Sequence, residues 1–173
     1  SGTVLDSARL KEALGAHLDV DPRNVHAYII GEHGDSELAV WSSANVSGVP
    51  LSDFCEMRGH YDHLASEKRI ADDVKNAAYN IISKKHATYY GIAMSVRRLC
   101  TAIMRDEKHI LPVSSLMVGE YGLDDICISM PTIVGRNGVE CRVPVSLSNE
   151  EYAELHRSAD ALKDVMSNVD FEA

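Results

Sequence analysis

The hydrophobic period of this chain changes along its length, and that change restricts the fold more than any other feature. Between residues 62 and 105 the apolar positions recur every three or four residues. Ile70, Val74, Ala77, Ala78, Ile81 and Ile82 make one run, and Ile92, Val96, Leu99 and Ile103 make a second. This is the spacing of helices that press one stripe onto a neighbour. Thr88 and Gly91 mark the restart between them. Beyond residue 105 the pattern becomes short β-prone runs at 110–113, 116–118, 126–130 and 139–143. Asn137-Gly138 reads as a tight hairpin, because the favoured two-residue turns place both central residues at positive φ. From Ser148 the helical period returns. Ser148 and Glu151 are spaced as a capping box, and Tyr152, Leu155, Ala159, Leu162, Met166 and Val169 share one side. The reading is α+β: an antiparallel meander packed with long helices.

The first sixty residues add a helix and a hairpin. Thr3 followed by Asp6 is a capping signal for a helix to about His17, with Val4, Leu5, Ala8 and Leu14 on its apolar side. A turn at 21–24 precedes a strand at 25–30 that stops at Gly31. A second strand is expected at 40–46, then a break at Gly48-Val49-Pro50 before a short helix. With 173 residues the chain can hide roughly 70% of its unfolded surface, enough for one domain without metal or disulfide support. Ser1-Gly2-Thr3 lacks an initiator Met and leads at once into the first helix, so the chain reads as a fragment.

Composition excludes several classes of function. A net charge of −9 argues against nucleic acid, whose binders present a basic face. Arg97-Arg98 and Lys84-Lys85-His86 read as solvated helix faces. The four cysteines form no C-x-x-C pair, so neither a zinc site nor a disulfide framework is signalled, and a reducing cytoplasm fits. His60-Tyr61-Asp62-His63 lacks a third ligand and reads as a polar loop or helix start rather than a metal site. No apolar run approaches the ~20 residues of a membrane span, and no signal peptide opens the chain, so a soluble protein is expected. No G-x-G-x-x-G follows a strand, so no pyrophosphate cradle is expected in this chain.

Two short segments carry candidate chemistry. His33 stands between Gly31-Glu32 and Gly34 directly after an apolar strand, where an imidazole is presented at a strand end. Histidine exchanges a proton near neutral pH. Asp6 and Arg9, three apart, share one side of the first helix: an anion to hold an imidazolium and a planar fork to grip a carboxylate. Taken singly, these are also a loop histidine and a surface ion pair. Taken together they point to catalysis.

The segments Ser1-Gly2-Thr3-Val4-Leu5-Asp6-Ser7-Ala8-Arg9 and Ile30-Gly31-Glu32-His33-Gly34-Asp35-Ser36 resemble the two signature segments of the lactate and malate dehydrogenase family. Ala87-Thr88-Tyr89-Tyr90-Gly91-Ile92-Ala93 resembles the substrate-pocket helix start of its bacterial L-lactate branch, and the similarity runs over essentially the whole chain. The resemblance implies that residues 1–173 are the substrate-binding, catalytic C-terminal domain, with the N-terminal Rossmann domain that binds NAD absent. It implies His33 as the general acid/base, Asp6 as the carboxylate bonded to it, Arg9 as the two-point anchor of a 2-oxo or 2-hydroxy acid, and Thr88 as a pocket residue. Thr88 reads equally as an N-cap. His26 and Lys11 match the two positions at which the branch regulated by fructose bisphosphate binds its effector across a subunit interface. Lys11 stands where an Arg is usual, and a surface His beside a solvated Lys is the alternative. The implied whole is a cytoplasmic, glycolytic homotetramer converting pyruvate to L-lactate with NAD. The alternatives are a malate dehydrogenase domain, whose discriminating loop would lie in the other half, and a non-catalytic oligomerisation or effector-binding module.

Overall fold

A computed structural model describes residues 1–169. Helix α1 (Val4–Leu18) leads through a 3-10 turn into strand β1 (Val25–Ile30), which pairs antiparallel with β2 (Leu38–Val46). The two-residue strand β3 (Val49–Pro50) and helix α2 (Leu51–Met57) follow. Next come the long helices α3 (His63–Lys85) and α4 (Tyr90–Met104). The meander β4 (His109–Val118), β5 (Asp124–Gly135) and β6 (Gly138–Arg142) precedes the closing helix α5 (Asn149–Ser167). The α+β reading therefore holds. Two three-stranded antiparallel sheets, ordered β1-β2-β3 and β4-β5-β6, meet where Gly31 and Ser129 exchange backbone hydrogen bonds of 3.0 and 2.8 Å. None of the helices among the described residues is long and apolar enough to cross a membrane.

β1 divides the core because its side chains alternate between faces. Val25, Ala27 and Ile29 pack with Leu10, Leu14 and Leu18 of α1 and with Ile70 and Val74 of α3. Ile30 joins Met117, Ile126, Ile128 and Met130 of the second sheet and Leu155 and Ala159 of α5. A third cluster seats Ala102 of α4 on Val4, Leu111, Val113 and Val134. The closing helix carries the expected capping box: Ser148 Oγ accepts from Glu151 N, and Glu151 Oε2 accepts from Ser148 N. The same buried carboxylate accepts from Trp41 N and Ser42 N of β2, so the cap also ties α5 to the first sheet.

Several local expectations change in the folded chain. Thr3 makes no side-chain cap. Its hydroxyl is buried and donates to Ile29 O at 2.5 Å, fastening α1 to β1. Ala8 is exposed, and Leu10 and Leu18 carry the apolar side of α1 instead. The runs at 110–113 and 116–118 are one strand with an irregularity between Leu116 and Val118. The hairpin forms, but only Gly138 of the Asn-Gly pair has positive φ, with the register shift between Ile133 and Val134. That places a bulge beside the turn instead of a turn with two left-handed residues. On α3 the apolar stripe is buried at Ile70 and Val74, whereas Ile81 and Ile82 are exposed; on α4, Val96 is exposed.

Candidate active site

The site is assembled by α1 and the loop after β1. Asp6 sits in the first turn of α1, one turn before Leu10 on the buried side of the helix, and only 6% of its side chain is exposed. Arg9, three residues on, donates from Nη1 to Asp6 Oδ1 at 2.8 Å. The pairing is thus a buried carboxylate held by a partly buried guanidinium, not a solvated surface pair. The β1 strand ends at Gly31, whose φ of +93° suits glycine and where a Cβ would lie 2.6 Å from Ser158 Oγ of α5. Ser158 Oγ also accepts from Glu32 N at 2.8 Å, so α5 fixes the course of the loop that presents His33.

His33 Nδ1 lies 3.1 Å from Asp6 Oδ2, at an angle that leaves this buried oxygen without an aligned donor. The contact is a close ion pair, and such angles commonly tighten when substrate closes a site. Asp6 first, and Glu37 second, push the His33 imidazole up to about 10. Burial pushes the Asp6 carboxyl up, but His33 and Arg9 together outweigh it and hold it below its usual range. The two carboxylates therefore favour the charged ring, with Nε2 as its nitrogen away from them.

Asp6, Arg9, His33 and Thr88 all line one cavity of about 300 Å³, together with Leu5 and Ile92. Thr88 is not an N-cap: the residue preceding α4 is Tyr89, whose side chain makes no cap, and Thr88 lies in the link from α3. The third helix contributes Lys75 and Tyr79. Lys75 Nζ donates to Asp35 O, and Tyr79 donates from its hydroxyl to Asp35 Oδ1 at 3.2 Å. Sequence reasoning missed these two and Glu37, whose Oε2 is 3.9 Å from His33 Nδ1. For Glu37 the only signal was its four-residue spacing from His33; for Lys75 and Tyr79 there was none, because long-range packing sets their place.

Lys11 and His26 meet in a different hollow, of about 660 Å³, with Ala8, Arg23, Tyr28 and His109. Lys11 Nζ stands 5.3 Å from the centre of the Tyr28 ring, and burial lowers its pKa. Arg23 is already engaged by Asp21. His60 and His63 take separate partners: the His60 ring stacks on His17 at 4.2 Å, and His63 Nε2 is 3.7 Å from Glu56. The described residues place one candidate metal-ligand group together, Asp6, His33 and Glu37. Arg9 already satisfies part of that charge.

An imidazolium held by a buried carboxylate, with a guanidinium in the same cavity, equips the chain for proton transfer to or from a small carboxylate-bearing substrate. The chain belongs to the lactate/malate dehydrogenase family, whose alpha/beta C-terminal domain matches residues 3–172. It is 51% identical over 170 residues to an L-lactate dehydrogenase of Acetivibrio thermocellus, covering 98% of this chain and 54% of that protein. An L-lactate dehydrogenase of Thermoanaerobacter sp. is 49% identical, with 98% and 55% covered. Among solved structures, the ligand-bound minor L-lactate dehydrogenase from Enterococcus mundtii aligns with a TM-score of 0.92 at 45% identity, covering 98% of this chain and 54% of that one. The chain thus spans about half the length of the relatives it matches.

Proposed function

We propose that this chain is the substrate-binding and proton-transferring half of an NAD-dependent L-lactate dehydrogenase. The observation that carries the reading is the convergence of Asp6, His33 and Arg9 on one cavity, with contacts of 3.1 and 2.8 Å. Arg9 has five N–H donors in a rigid fork. One is held by Asp6, which leaves the remainder for a two-point grip on the substrate carboxylate. In reduction, His33 donates its Nε2 proton to the keto oxygen as the carbon receives a hydride. In oxidation, neutral His33 accepts the hydroxyl proton. Asp6 stabilises the imidazolium in either direction and fixes the ring by holding Nδ1.

NAD, when bound, supplies or accepts the hydride. Both sheets here are antiparallel, and the parallel strand–loop–helix unit that cradles a pyrophosphate is not built by the described residues. The reading therefore assigns the nucleotide to a Rossmann half of the relatives' length that this chain does not span. Leu5, Thr88 and Ile92 line the cavity and suit a methyl group better than a second carboxylate, which favours pyruvate over oxaloacetate. The names of the relatives point the same way. A purely oligomerising module has no use for a buried Asp6 beside His33 in an open hollow.

Three further parts of the reading rest on the family resemblance. Lys11 and His26 form one side of a fructose bisphosphate site completed across a subunit interface. The exposed Ile81, Ile82, Met94 and Val96 supply apolar area for a homotetramer. The four free thiols suit a reducing cytoplasm.

The test is a comparison of the isolated 173-residue chain with the enzyme that carries its nucleotide-binding half. The larger protein is expected to reduce pyruvate with NADH and to prefer it to oxaloacetate, while the chain alone gives no turnover. Ordinary turnover by the chain alone, or a preference for oxaloacetate, would refute the reading.

A further inference from the structure

Glu37 lies four residues after His33 and directly before β2. Its side chain is only 7% exposed, and the His33 ring is the one cationic group within 4.0 Å of its carboxyl among the described residues. Oε2 is 3.9 Å from Nδ1, the same ring nitrogen that Asp6 Oδ2 approaches to 3.1 Å. Two carboxylates therefore lie within ion-pair distance of one nitrogen of the imidazole. Glu37 lines the cavity that holds Arg9 and His33, and also a second hollow of about 220 Å³ beside Trp41, Asp72, Lys75 and Glu154. Glu37 thus stands between two hollows with its side chain buried.

A buried carboxylate without a strong partner is costly, so such a group persists where its charge is used or is neutralised by a proton. The charged groups around it are Asp6 and Arg9 from α1, His33 and Asp35 from the loop, Asp72 and Lys75 from α3, and Glu154 and Arg157 from α5. Burial pushes its pKa up, His33 draws it back down, and the neighbouring Asp6 again raises it.

Resting on the acid/base reading of His33, we propose that Glu37 is a positioning residue for the His33 proton: the second carboxylate on Nδ1, which extends the pH range over which the ring remains an acid. The Nδ1 proton stays on the ring in both directions of the reaction, and only the Nε2 proton moves. Ionised Glu37 strengthens the hold on the imidazolium, and protonated Glu37 relaxes it. The acidity of the catalytic group then depends on a neighbour that need not touch substrate.

The experiment uses the full-length enzyme, with Glu37→Gln removing the charge while keeping the shape. The alkaline limb of kcat/KM for pyruvate reduction, where the imidazolium is lost, should move to lower pH by about one pH unit, a tenfold loss on that limb. The His33 midpoint followed by 13C-histidine NMR should fall with it, and Glu37→Asp should restore part of both. An unmoved limb or an unmoved His33 midpoint overturns the proposal. Should the Gln variant not fold, the wild-type enzyme supplies the answer: the Glu37 and His33 carbon signals must titrate as a coupled pair, and independent single steps overturn it. Retained activity in His33→Ala would instead sink the acid/base reading itself, a separate failure.

Discussion

Helix α1 serves two hollows, and they are organised on opposite principles. On one side Asp6 and Arg9 pair within the protein, and His33 closes on the same carboxylate. On the other, Lys11 has no carboxylate partner among the described residues and rests over Tyr28, beside an exposed His26. Arg23 and Lys108, which line that second hollow, are taken up by Asp21 and by Asp106 and Glu140. The first site has its charges ordered before a ligand arrives, which is the arrangement electrostatic catalysis requires. The second has unpaired positive charge and an open mouth, which suits an anion that completes the site on binding. On the proposed reading, pre-organisation separates a place for chemistry from a place for recognition, although one helix carries both.

The comparison breaks most visibly at the imidazole. His33→Ala in the full-length enzyme is expected to lower kcat by about a hundredfold to ten-thousandfold, the usual worth of a positioned acid/base. Steady-state kinetics of pyruvate reduction measure this, and an unchanged kcat would deprive the first hollow of its assigned chemistry. Next comes Arg9→Lys, which keeps the charge but loses the fork. The KM for pyruvate should rise roughly tenfold to a hundredfold, with oxamate binding weakened in parallel. Equal affinity for both forms would mean that Arg9 serves only Asp6.

The second hollow offers a smaller effect. Lys11→Arg restores a planar donor, and the half-saturating concentration of fructose bisphosphate should fall about fivefold. Binding calorimetry showing no effector binding by either form would return Lys11 and His26 to the role of solvated surface groups.

The smallest effect concerns stability against pH. The His33 pKa, raised in the folded chain to about 10, contributes stability that is complete below its ordinary 6.5 and disappears as pH rises through the folded value. Because the ring is half exposed, solvent screening reduces this to about 1 kcal/mol. The urea midpoint of wild type relative to His33→Asn should therefore decline between pH 7 and 10. A constant difference over that range would show that the Asp6 contact is not formed in solution. Asp6, held below its usual range, acts in the opposite direction: its contribution is present above its unfolded value and is lost on acidification.

Much of the architecture was legible before folding because it depends on local periodicity. The helix runs about Ile70 and Ile92, the strand from Val25 to Ile30 and the Ser148–Glu151 box all form where pattern and capping chemistry place them. The errors arise where a long-range partner competes with a local preference. Thr3 gives up a cap for Ile29 O, and the hairpin takes a bulge instead of two positive-φ residues. Likewise Asp6, Arg9 and His33 were recognisable by residue type and segment, whereas the four-residue spacing of Glu37 from His33 is a weak signal, since in a loop it does not by itself set two side chains together.

By itself the sequence determined the elements, their order and the chemical types available to the site, because hydrophobic period, capping and side-chain chemistry are properties of neighbouring residues. Only the tertiary structure decided that His33 Nδ1 faces two carboxylates and that Arg9 opens onto the same cavity. It also decided that Lys11 and His26 share another hollow. Those facts depend on the distance between α1 and the β1–β2 loop. Packing of Leu10 and Leu14 on Ile29, and the clasp of Ser158 on Glu32, set that distance.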